Sequence, residues 1–204
     1  MNQANLSRHR AGGFTILELL VVIALIGIVS TIGFPALMNT LRRAQVTGAA
    51  KDVANAIRVA RLEAIKRSRP VGAQAQIDSN EVHVFEDLDG NGVLDAGEQF
   101  NTFPLRAAIQ FWAPDEAPGG SGVVVGFNET LPDGSEDATK GWVLFASDGS
   151  ANETGAFRIG DGHGNHFEIR VDPRASARVT ILKWDPVETE FEVQGEGGES
   201  WEFY

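Results

Sequence analysis

The chain has no cysteine among its 204 residues. That absence excludes disulfide staples, thiol chemistry and any metal site built on thiolates. Basic residues are scarce over most of its length. Residues 71–204 hold seven Lys/Arg against twenty-five Asp/Glu, a net −18, whereas residues 1–70 hold ten against three, a net +7. After Lys183 no basic residue follows, while Asp185, Glu188, Glu190, Glu192, Glu196, Glu199 and Glu202 do. Counterion release needs several clustered cations, and Arg174, Arg178 and Lys183 do not supply them, so nucleic-acid binding is not expected. There is no phosphate loop, no nucleophile elbow and no internal repeat. The four histidines, His9, His83, His163 and His166, fit no Ser–His–Asp spacing. Catalysis is not expected.

What the sequence does have is one long apolar run. From Phe14 to Phe34 only Thr15, Glu18, Ser30 and Thr31 are polar. Twenty-one residues in a helix rise roughly 31 Å, enough to cross a bilayer core. A secretory signal has a shorter apolar region, with its small-residue cleavage site after that region. Here the small pair, Gly12 and Gly13, stands before the run, so cutting there leaves the run on the mature chain. The run is expected to be a retained membrane anchor.

Glu18 is the exception within it. An intramembrane charge costs about 2.5–3.5 kcal/mol at the helix centre and less near its edge. A carboxylate in that position either snorkels to the headgroups or meets a partner. Cleavage after Gly13 would supply one: the new α-amino group of Phe14 would lie at about the depth of Glu18. A carboxylate on one subunit would then neutralise the amine of its neighbour and favour side-by-side helices.

A short basic leader, Gly13 before Phe14, then Thr15, Glu18 and Leu19-Leu20, resembles the class III signal of type IV pilins and type II secretion pseudopilins. The resemblance implies cleavage by a prepilin peptidase between Gly13 and Phe14, N-methylation of Phe14, and a subunit-pairing role for Glu18. Pro35 stands where these proteins often carry a helix-bending proline, and the ring does remove an amide donor there.

Beyond Pro35 the helical pattern resumes. Val46, Ala50, Val53, Ile57, Ala60 and Ala64 form one apolar stripe at spacings of four and three. The helix is expected to reach about Arg67, with Pro70 as its limit. After Pro70 the periodicity alternates. Strands are expected at Val71–Ile77, Glu81–Phe85, Phe100–Trp112, Gly122–Phe127, Gly141–Phe145, Ala156–Ile159, His166–Val171 and Arg178–Lys183. The segments Ala113–Ser121 and Asn128–Thr139 read as loops. The expected fold class is α+β, a long N-terminal helix packed on an antiparallel, sheet-rich head.

The helix ending RLEAIKRSRPV at 61–71, Phe145-x-x-Asp148-Gly149, and the strand order through Arg178-Val179 are similar to the GspH/FimT group of minor pseudopilins and minor pilins. That likeness implies a cleaved leader at 1–13, a transmembrane helix at 14–35, the periplasmic half of the helix at 36–70, and a β-rich periplasmic head at 71–204. It also implies a single-pass inner-membrane protein whose partners are other pseudopilins or pilins, met through the N-terminal helix.

One local motif stands outside the family pattern. Asp87-Leu-Asp89-Gly-Asn91-Gly92-Val93-Leu-Asp95-Ala-Gly-Glu98 matches the twelve-residue calcium loop D-x-[DN]-x-[DN]-G-x5-E. Oxygens of Asp87, Asp89, Asn91, Asp95 and Glu98 and the carbonyl of Val93 would converge on the ion. The frame differs, because EVHVFE before the loop reads as a strand; the competing reading is an acidic hairpin turn. Asp161-Gly-His163-Gly-Asn165-His166 fits a hairpin turn better than a metal site.

Three functions fit these residues. The first is a minor pseudopilin of a type II secretion system. The second is a type IV minor pilin that primes pili, and the third is a membrane-tethered calcium-binding module.

Overall fold

The apolar run and the amphipathic stripe form one helix, α1, Ile16–Arg67, with Pro35 inside it. The structure, a computed structural model, describes residues 14–106, 108–127 and 139–193. Gly13 and most of the Asn128–Thr139 segment therefore lie outside the described residues. The chain divides into two units, one ending at Leu41 and the other beginning at Arg42.

In the first unit, Phe14, Ile16, Leu17, Leu19, Leu20 and the Val, Ile, Leu and Phe side chains that follow to Leu41 are exposed. This segment is long and apolar enough to cross a membrane. A surface of that kind is unstable in water and stable in lipid.

The second unit starts where alanines replace leucines. Val46, Ala50, Val53, Ile57, Ala60 and Ala64 are all buried, and Ala49, Ala54 and Ala56 widen the stripe. Small side chains on the helix face large ones from the strands, so the layers interdigitate closely. The residues opposing them in one core include Phe111, Phe145, Phe157, Phe167 and Ile169.

Among the described residues ten strands follow: β1 (Val71–Gln76), β2 (Glu81–Glu86), β3 (Gln99–Pro104), β4 (Gln110–Phe111), β5 (Val124–Val125), β6 (Lys140–Phe145), β7 (Gly155–Gly160), β8 (His166–Val171), β9 (Val179–Asp185) and β10 (Glu190–Val193). They make two antiparallel sheets. One has the order β3-β2-β1-β6; the other has the order β10-β9-β8-β7-β4, with β5 also paired to β7.

The expected strand Phe100–Trp112 is two strands in different sheets. Proline at 104 cannot donate to a ladder, and β3 ends there. A turn closed by Ile109 N donating to Arg106 O at 2.8 Å then redirects the chain, and Phe111 pairs with Ile159 of β7. The expected strand Gly122–Phe127 shrinks to Val124–Val125. The strand β10 was not expected at all.

Candidate functional site

Two places carry the predicted functional residues: the start of α1 and the loop between β2 and β3.

At the start of α1, Thr15 precedes the first helical residue, and its Oγ1 accepts from the amide of Glu18 at 3.2 Å. Thr15 is thus an N-cap with glutamate three positions on, the sequence form of a capping box. The signal for it in the sequence is T-x-x-E before an apolar run. Among the described residues the Glu18 carboxylate has no ion-pair partner, and Phe14 is exposed beside it. A free amine at Phe14 would stand at the positive end of the helix dipole, where a cation is disfavoured. A neighbour's carboxylate would relieve that cost.

Further along, the family-like Asp148-Gly149 pair forms the turn after β6. Ser150 donates its amide and its hydroxyl to Asp148 Oδ1, at 2.9 and 2.6 Å. These bonds hold the Asp148 carboxyl below the usual range. The turn presents the Gly149 carbonyl to Arg61 Nε at 2.9 Å, which ties α1 to the end of β6.

The Asp87–Glu98 loop joins β2 to β3, so its frame is the expected strand pair rather than two helices. Gly90 and Gly92 have φ near +80°, the left-handed region that lets the chain fold back. Asp87, 5% exposed, accepts from Gly90 N at 2.8 Å on one oxygen and from Gly92 N at 3.1 Å on the other. Glu98, 6% exposed, accepts from Leu88 N at 2.8 Å and Asp95 N at 2.9 Å. Carboxylate oxygens of Asp87, Asp89 and Glu98 all lie within 4.8 Å of one another.

The loop therefore brings together three of the four predicted carboxylate ligands. Asp95 stands outside this trio, and its Oδ2 accepts from Asn91 Nδ2 at 2.7 Å. The same amide nitrogen donates to Asp89 Oδ2 at 3.0 Å, while Asn91 Oδ1 accepts from Val93 N at 2.8 Å. Burial pushes the Asp87 carboxyl above its ordinary range; the amides of Gly90 and Gly92 oppose this, and the charges of Glu98 and Asp89 reinforce it. Two buried carboxylates facing a third are a concentration of negative charge that a divalent cation would neutralise.

The Asp161–His166 segment is the turn joining β7 to β8. Asp161 accepts from His163 N and Asn165 N, and His166 is buried. Burial pushes the His166 imidazole below its ordinary pKa.

Sequence reasoning missed a buried ion pair on the outer face of the second sheet. Arg158 of β7 and Glu168 of β8, each 2% exposed, sit opposite each other in register and bond at 2.9 Å. The guanidinium also donates to the carbonyls of Pro118 at 2.6 Å and Gly120 at 2.9 Å, so it pins the 113–123 loop over the sheet. Each charge lies between two apolar residues of an expected strand, and closing the hairpin at Asp161–Asn165 sets 158 opposite 168. That arithmetic was the available signal.

Residues 49–182 match the family described as type II transport protein GspH, and residues 8–34 match the prokaryotic N-terminal methylation motif. The chain belongs to the GspH family. Members are pilin-like structural subunits rather than enzymes, with an apolar N-terminal helix as membrane anchor and a soluble domain after it. The pilin-like protein PilA1 of Thermus thermophilus is 35% identical over 89 residues, which cover 43% of this chain. The match spans 56% of that relative's length. Two solved structures are also similar. The type IV minor pilin FimU of Pseudomonas aeruginosa has a TM-score of 0.44 at 14% identity, over 72% of this chain and 92% of that one. The minor pseudopilin EpsH of the Vibrio cholerae type 2 secretion system has a TM-score of 0.43 at 12% identity, over 68% and 97%.

Proposed function

We propose that the protein is a minor pseudopilin of a type II secretion system, a structural subunit of the tip or initiating complex of the periplasmic pseudopilus. The observation that carries this reading is the match of residues 49–182 to the type II transport protein family. The acidic segment after Lys183 supports it over the DNA-uptake form of the alternative, a type IV minor pilin. In this reading a prepilin peptidase cuts between Gly13 and Phe14, Phe14 is methylated, and the helix anchors the subunit in the inner membrane with its head in the periplasm. Glu18 pairs with the amine of a neighbouring pseudopilin or pilin, and Pro35 bends the helix where the anchor ends. Deleting the gene should abolish release of the secreted proteins while surface pili remain, with recovery on return of the full chain. Loss of pili with secretion intact would transfer the protein to the pilus.

The Asp87–Glu98 loop supports a second, compatible role. We propose that it binds one calcium ion through Asp87, Asp89, Asn91, Asp95, Glu98 and the carbonyl of Val93. The burial of Asp87 and Glu98 favours this over a plain turn, because a turn needs no acidic group withdrawn from water. The ion would stiffen the hairpin rather than act as a sensor. Without filament assembly, the same loop would make the chain a membrane-tethered calcium-binding module.

A further inference from the structure

Between α1 and the turn that leads into β9 lies a cleft of about 580 Å³, lined by Arg58, Arg61, Leu62, Ser176, Arg178 and Val179. The partners of its cations are neutral. Arg58 donates to Asn55 Oδ1 and to the carbonyl of Val179, both at 3.4 Å, and Arg61 donates to the carbonyl of Gly149 at 2.9 Å. Among the described residues, none of the three guanidiniums has a carboxylate partner, and Arg178 is exposed. Leu62 is 63% exposed beside them. Like charges gathered in one cleft repel each other, and carboxylates brought from outside relieve that repulsion. The complementary surface is a protruding apolar group flanked by acidic side chains.

The far end of β9 carries such a surface. In the turn between β9 and β10, Val187 is 83% exposed, with Asp185 before it and Glu188 and Glu190 after it. Asp185 Oδ1 accepts from the amides of Val187 at 2.7 Å and Glu188 at 3.4 Å, which fixes the turn and leaves both glutamates exposed. The hairpin is anchored to its own sheet. Trp184 and Phe191 pack with ring centroids 5.1 Å apart, in one apolar cluster with Leu182 and Ala117. Along the seven residues of β9, at about 3.3 Å each, the turn stands roughly 20 Å from Val179 at the cleft. So held, it cannot reach the cleft of its own chain. We propose that the Arg58–Arg61–Arg178 cleft takes the β9–β10 turn of a second copy of this chain, with Glu188 and Glu190 on the guanidiniums and Val187 over Leu62. Every copy offers both halves, so the contact either closes a reciprocal pair or runs on from copy to copy. It does not depend on whether the subunit serves secretion or pili.

The absence of native cysteine makes the test direct. Full chains carrying Ser176→Cys and full chains carrying Val187→Cys are mixed in detergent micelles and treated with a short bismaleimide. Position 176 of one chain should be joined to position 187 of the other in clear excess over 176–176 and 187–187 links, read by gel mobility and peptide mass. Arg178→Glu in the first chain, at an exposed side chain, should lower the mixed yield about fivefold or more. Glu188→Lys with Glu190→Lys in the second chain should do the same without touching the folded core. Combining the two reversals should restore part of the yield. In 1 M salt, where the Debye length is about 3 Å, the mixed yield should also fall. Like links as frequent as mixed ones, no link at all, or a mixed yield unmoved by either charge reversal would each overturn the proposal. So would native membranes in which the Ser176→Cys chain is joined only to a different protein.

Discussion

Glu18 is the only charged side chain between Phe14 and Phe34, and in the isolated chain it has no ionic partner among the described residues. Its backbone amide is already engaged by the Thr15 cap, so the helix start does not depend on the carboxylate alone. Glu18→Ala should therefore insert into membranes normally, since it removes a charge from an apolar segment. Crosslinking to neighbouring subunits should drop sharply, and crosslinking at the wild-type level would show that the carboxylate pairs with nothing. Arg158 and Glu168 are charged residues of the opposite kind, buried and fully engaged within one chain. Glu168→Gln leaves the guanidinium with its carbonyl acceptors but without a counter-charge. Breaking such a pair costs about 3–5 kcal/mol, and the remaining carbonyls argue for the lower end. At about 2–4 °C per kcal/mol for a domain of this size, melting should fall by roughly 6–12 °C. A fall of less than a degree would mean that the pair does not hold the 113–123 loop.

At the scale of elements, α1 and the hairpins were legible because apolar residues recur at helical spacing in the one and alternate in sequence in the others. The stripe from Val46 to Ala64 repeats at helical spacing, and it is buried throughout. His166–Val171 alternates, and β8 has those bounds. Short elements were not legible, since two residues such as Val124–Val125 carry no period and owe their strand geometry to β7. β10 was hidden by its acidic composition, because Glu190 and Glu192 are exposed on an edge strand and only Phe191 turns inward. The break at Pro104 has a signal in the residue itself, which cannot donate to a ladder. For the candidate site, the structure gathers the carboxylates of Asp87, Asp89 and Glu98 from the Asp87–Glu98 pattern, and the pattern alone did not tell that Asp95 would be held by Asn91.

This hairpin carries its own prediction. Loops of this kind bind calcium with dissociation constants of about 0.1–1 mM outside cells. At about 100 times that constant the folded state gains about 2.7 kcal/mol. The full chain in micelles should melt several degrees higher in roughly 10 mM calcium than in chelator, and magnesium should do much less. Burial raises the folded pKa of Asp87, so in chelator its contribution is present below the ordinary carboxylate pKa and is lost as pH rises through the folded value. Asp87→Asn should remove both that loss and the calcium response. Equal melting of the wild type with and without calcium would leave the loop a turn.

Over the whole molecule, charge and hydropathy are divided along the chain. The first 70 residues carry a net +7 and the apolar run, and the remainder carries a net −18. That division suits a subunit held in lipid at one end and assembled beside others. Assembly through Glu18 requires a free amine at Phe14, and hence removal of residues 1–13. Pairing in this way therefore depends on one processing event. Intact mass spectrometry of the protein extracted from native membranes reads it directly. The expected product is a chain that begins at Phe14 and carries one N-methyl group, and Gly13→Leu should block it. A wild-type chain that still begins at Met1 in cells containing the peptidase would contradict it.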